Sequence, residues 1–107
     1  MATSIKKNTM QRGTATNNTN QGDGILCKWE RIGNIVTVTG LLSRGATSWT
    51  IFNGLPPLLD LSSDYDKAII CRTAGGHDVY ITQDGTIQVG GNTFTEKYPF
   101  SGSYLCG

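Results

Sequence analysis

The clearest pattern of apolar and polar positions runs from Cys27 to Leu42. Two stretches rich in β-branched and aromatic residues flank Gly33-Asn34, a dipeptide suited to the tight primed turns whose twist matches that of paired strands. Closing the chain there pairs Ile32 with Ile35, Arg31 with Val36, Glu30 with Thr37, Trp29 with Val38 and Lys28 with Thr39. Trp29, Val36 and Val38 then share one face, while Lys28, Glu30, Thr37 and Thr39 share the other. An apolar face backed by a polar one marks an antiparallel sheet lying on a core.

A second hairpin is predicted over Val79 to Val89, and its faces decide its loop length. A two-residue Asp84-Gly85 loop would set Ile81 against Gln88. A three-residue Gln83-Asp84-Gly85 loop sets Ile81 against Ile87 and Val79 against Val89, which keeps apolar partners together. A type I turn with Gly85 left-handed in a bulge is therefore expected.

Between the hairpins, Thr47 to Phe52 reads as a strand, with Thr47, Trp49 and Ile51 on one side and Ser48, Thr50 and Phe52 on the other. The Asn53 to Pro57 segment breaks the sheet, because consecutive prolines supply no ladder donors. Leu58 to Asp66 follows as a surface loop with apolar pegs and room for one helical turn. Lys67 to Arg72, the most continuously apolar run outside the first hairpin, reads as a central strand, and Ala74 to Asp78 as a mobile turn. Gly90 to Asn92 is a further turn, Thr93 to Glu96 a short strand and Tyr98 to Phe100 a break. Ser101 to Cys106 closes the fold, with Tyr104 and Cys106 opposite Leu105.

Ahead of the first hairpin the chain is polar. Ser4 to Thr9 fits a short edge strand, whereas Thr14 to Gly24 lacks apolar anchors and reads as a long loop or a segment ordered by a neighbouring chain. No window carries apolar residues at helical spacing over three turns, and 107 residues suit one domain. The expected fold class is all-β, an antiparallel, jelly-roll-like β-sandwich of about seven or eight strands.

Charge narrows the partners. Nine Lys and Arg residues against eight Asp and Glu leave a net charge of +1 at pH 7, and no basic stripe is present to displace counterions from nucleic acid or an acidic membrane. No apolar run of about 18 residues can insert into a membrane, and no apolar block marks a signal peptide. The mature chain is expected to be soluble. Cys27, Cys71 and Cys106 lie far apart and lack metal or redox spacing. They read as reduced core thiols, with a disulfide between two of them as the alternative.

Candidate chemistry is sparse. His77 is the sole histidine and sits beside Asp78, but adjacent strand residues point opposite ways and no nucleophile elbow accompanies them. His77 is expected on an exposed loop. Asp60, Asp64 and Asp66 lack the glycine and terminal glutamate of an EF-hand loop. Glu30 and Glu96 are the two glutamates, and a pair of carboxylates for glycoside hydrolysis needs only to meet in space. Gly75-Gly76 and Gly90-Gly91 open no helix and read as turns, not phosphate cradles. No catalytic residue, metal or cofactor is assigned. Exposed aromatic and polar loop residues remain, and Tyr65, His77, Asp78 and Tyr98 are the candidates for stacking on sugar rings or anchoring a protein contact.

The order of the pieces resembles the distal domains of bacteriophage tail fibre and baseplate receptor-binding proteins. The residues that carry the likeness are the Gly33-Asn34 hairpin, then Gly54 to Pro57, then the Asp84-Gly85 hairpin, then Ser101 to Leu105. The likeness covers residues 27 to 105. It implies a sandwich assembled as a homotrimer at a fibre tip and adhering to a saccharide or protein on a bacterial surface. Such a protein belongs to the virion tail and is made in the bacterial cytoplasm. Three weak sites on one rigid tip gain avidity through effective concentration. On this reading, residues 1–24 are a loop, edge strand or trimer-contacting arm, and 25–107 the receptor-binding domain. The rival readings are a structural domain that binds only other tail proteins and a small carbohydrate-active enzyme.

Overall fold

The computed structural model describes residues 10–17, 24–42, 50–60, 66–90 and 97–107. The first hairpin forms as its pattern dictates: β3 (Gly24–Ile32) pairs with β4 (Ile35–Leu42) in the expected register, Trp29 opposite Val38 and Ile32 opposite Ile35. Gly33 takes φ +60 and Asn34 a negative φ, which is the primed turn with glycine at its first central position. Val36, Val38 and Leu42 are fully buried, while Thr37 and Thr39 face outward. Each fully buried aliphatic side chain contributes about 1.5–3 kcal/mol to the core.

This hairpin forms the centre of a four-stranded sheet in the order β1-β3-β4-β9, with β1 at Met10–Thr14 and β9 at Tyr98–Leu105. The second hairpin, β7 (Asp78–Thr82) with β8 (Ile87–Val89), anchors a five-stranded sheet. Its order is β2-β5-β8-β7-β6, with β2 at Thr16–Asn17, β5 at Thr50–Asn53 and β6 at Lys67–Arg72. Among the described residues the two antiparallel sheets pack as a sandwich of nine strands, against the seven or eight expected. Val79, Ile81, Ile51, Phe52 and Ile87 meet Cys27, Val36, Val38, Phe100 and Tyr104 in one core.

The second hairpin adopts the three-residue loop. Val79 pairs with Val89 and Ile81 with Ile87, Gly85 N donates to Thr82 O at 3.1 Å, and Gly85 lies at φ +77. Tyr104 and Cys106 are buried opposite an exposed Leu105, also as expected. All three cysteines are free, and burial pushes the Cys27 thiol up to about 12.

Four expectations are corrected. The polar N-terminal tract is not all loop: β1 pairs with β3, the chain crosses sheets at buried Ala15, and β2 pairs with β5. Ala15 N donates to Cys27 O at 2.8 Å and fixes this corner. The strand ending at Phe52 does not alternate, because a bulge between Thr50 and Phe52 turns both Ile51 and Phe52 into the core, as an extra residue in one strand does. Lys67 to Arg72 is an edge strand among the described residues, not a central one. Tyr98 to Phe100 is not a break: β9 runs through Pro99, and among the described residues it is an edge strand, whose outer side requires no ladder donor. Ser4 to Thr9, Trp49 and Thr93 to Glu96 lie outside the described residues.

Candidate functional site

The turn between β6 and β7 is built on Thr73. Its backbone N donates to His77 O at 2.9 Å, and Gly76 N donates to Thr73 O at 2.9 Å. The Thr73 hydroxyl oxygen also accepts from the His77 backbone N–H at 3.2 Å. Gly76 supplies the left-handed residue at φ +83. The same device closes the second hairpin, where Thr82 Oγ1 accepts from the Thr86 and Asp84 backbone N–H groups, each at 3.2 Å. A buried threonine five residues ahead of the returning strand thus fastens both turns, and the expected mobile turn is a hydrogen-bonded one.

That turn decides where His77 goes. The side chain is buried at 7% exposure, which corrects the expectation of an exposed loop histidine. Its Nδ1 lies 3.0 Å from Thr73 Oγ1, the donor being set by the imidazole tautomer. Its ring stands 5.5 Å from the Tyr98 ring at a 50° tilt. Both rings lie over Gly75: a Cβ there would fall 2.7 Å from Tyr98 Cζ and 2.7 Å from His77 Cε1. The glycine leaves the room in which these aromatic side chains meet.

Asp78 turns the other way, as adjacent strand residues must. Its Oδ1 lies 3.6 Å from Arg72 Nε, across the first pair of β6 and β7. The structure therefore brings His77 and Tyr98 together and assigns Asp78 to Arg72. Tyr65 lies outside the described residues.

Sequence reasoning did not single out Arg72, whose side chain is 70% exposed. It borders a shallow depression lined by Thr39, Cys71, Pro99, Phe100 and Ser101. These residues come from β4, β6 and β9, and they meet because β6 crosses β9 at Gly102. A Cβ on Gly102 would lie 2.5 Å from Ile70 O. No spacing along the chain signals a juxtaposition of this kind. The guanidinium and two hydroxyls supply donors over an apolar floor, a set that suits an anionic or hydroxyl-rich group. Burial pushes the Cys71 thiol up, against a smaller downward pull from a backbone hydrogen bond of Ser101, so the thiol is not primed as a nucleophile.

Among the described residues no three His, Cys, Asp or Glu side chains gather to hold a metal. Glu30 sits on the outer face of the first sheet, 3.4 Å from Arg12 Nε, and Glu96 and Asp64 lie outside the described residues. No protein-family model matches the chain, and no curated protein or solved structure matches it.

Proposed function

We propose that the chain is a non-enzymatic adhesion module of a phage tail fibre or baseplate, recognising a saccharide or protein on a bacterial surface. The observation that supports this reading is how the pieces that carry the likeness touch. Leu55 N of the Leu-Pro loop donates to Gly85 O of the Asp-Gly hairpin at 3.0 Å. The buried Tyr104 hydroxyl of the closing strand donates to Pro56 O at 2.7 Å. Cys106 N donates to Asn34 O of the Gly-Asn turn at 2.8 Å. Pieces that resemble a fibre-tip domain by their order are thus also one hydrogen-bonded unit.

In this proposal the module contacts other tail proteins and resides in the virion after synthesis in the bacterial cytoplasm. The Arg72 depression, with Asp78 and Tyr98 nearby in the chain's fold, is the contact surface. The test is binding of the labelled protein to a panel of bacterial cells and their purified surface polysaccharides. Saturable binding that Arg72→Ala weakens, at unchanged melting temperature, supports the proposal. Binding to purified tail proteins alone, or shortening of a polysaccharide that is lost on replacing Glu30 or Glu96 by Gln, overturns it.

A further inference from the structure

The outward face of the four-stranded sheet is striped. Strand register aligns Met10, Ile32, Ile35 and Leu105 in one row across β1, β3, β4 and β9, and they are 40%, 46%, 54% and 53% exposed. At the opposite end of the same face, Leu26 pairs with Leu41 and Leu41 with Pro99, with Leu26 43% exposed. Between these apolar rows lie two polar ones, which carry Arg12 and Glu30 in the first and Lys28 in the second, otherwise hydroxyl side chains. A sheet face left to solvent is ordinarily polar along its length, and scattered single exposed apolar residues would need no explanation. Four in one row, with a second row at the far end, do.

We infer that this face binds a second copy of the chain, packed sheet on sheet about a two-fold axis lying in the interface at right angles to the strands. The stripe order is apolar, polar, polar, apolar, which reads the same in both directions. A copy reversed along the strands therefore lays the Ile35 row on the Leu26 row at both ends. The same operation keeps β3 over β3, so Glu30 faces Lys28 of the second copy, and Lys28 faces its Glu30. Apolar and charged positions thus match under one symmetry operator, as an isologous interface requires. A saccharide or an unrelated protein has no need of a palindromic face.

The size of the face sets the strength. Its outer rows stand about 20 Å apart along the strands and its four strands span about 15 Å between axes, which gives a footprint of a few hundred Å². That is below the roughly 800 Å² per partner of a standard stable interface. The dimer should be weak and dependent on protein concentration, and salt should weaken the two exposed charge pairs. The contact does not rest on the adhesion reading or on the threefold assembly the resemblance implies, because it is measured with no ligand present; Thr39, Pro99 and Ser101 belong both to this face and to the Arg72 depression, so a bound copy and a ligand there compete.

The experiment is sedimentation equilibrium on the full chain from about 1 to 500 μM. The weight-average mass should rise from 11.5 kDa toward twice that value. Ile35→Glu should abolish the rise while leaving the circular dichroism spectrum and melting behaviour intact. Glu30→Lys and Lys28→Glu should each weaken association at least several-fold, and the double variant, which exchanges the two charges, should restore it. A strictly monomeric chain overturns the inference. So does an oligomer of any size that Ile35→Glu leaves unchanged, or a double variant no better than the single ones.

Discussion

Replacing Tyr104 by Phe isolates one atom of the proposed unit. The hydroxyl donates to Pro56 O at 2.7 Å with both residues buried, and the ring itself stays in the core. Removing the hydroxyl deletes one hydrogen bond and leaves a buried carbonyl without that partner, a loss of about 1–2 kcal/mol. For a domain of this length the expected drop in melting temperature is roughly 5–10 °C. Burial, reinforced by Cys106 and Cys27 nearby, also pushes the Tyr104 phenol above its ordinary value of 10.0. A raised folded pKa means that the phenol's contribution to stability is complete below pH 10 and falls as the pH rises toward the folded value, because the unfolded state loses its proton first. Urea denaturation from pH 7 to 11 should show the wild type losing stability above pH 10, and Tyr104→Phe should remove that part of the slope. An unchanged midpoint at pH 7 would refute the role assigned to the hydroxyl. So would a variant with the full alkaline slope.

Other substitutions probe the turns and the core. Gly85→Ala must place a Cβ in left-handed backbone against Leu55 O, so a loss of about 2–4 kcal/mol in urea denaturation is expected. Thr73→Val removes the hydroxyl that the His77 backbone N–H and imidazole share, and should cost about 1–2 kcal/mol and shift the His77 ring resonances. Thiol titration of the native protein should modify half-buried Cys71 before buried Cys27 and Cys106, and all three should react in denaturant. Cys27, raised from 9.0 to about 12, adds an earlier loss of stability that begins above pH 9, and Cys27→Ala should abolish that portion of the alkaline slope.

The two hairpins were legible because their side chains alternate cleanly and their turns hold glycine where the backbone needs it. The three-residue loop followed from keeping Ile81 with Ile87 and Val79 with Val89, which the register repeats. Strand β1 was hidden for a physical reason. One of its inward positions is Gly13, over which the Trp29 ring lies, so the apolar group that fills the space belongs to another strand. Strand β6 looked central because Ala68 to Cys71 is apolar throughout. Its backbone instead lies against Gly102 on one side while Ile69 stays 58% exposed.

The candidate site was less legible than the fold. His77 and Tyr98 were both named from the sequence, but their contact depends on Gly75 and on a turn fixed by Thr73. Arg72 became visible only once β6 was seen to lie beside β9. A surface assembled from three strands has no linear signature.

The most direct test of the adhesion proposal is flow cytometry of the fluorescently labelled chain on a panel of bacterial strains, with each strain's purified surface polysaccharide as competitor. The account predicts saturable binding to a subset of strains, reduced by Arg72→Ala and leaving the polysaccharide at full length. Binding to no strain, together with retention on purified tail proteins, would contradict it.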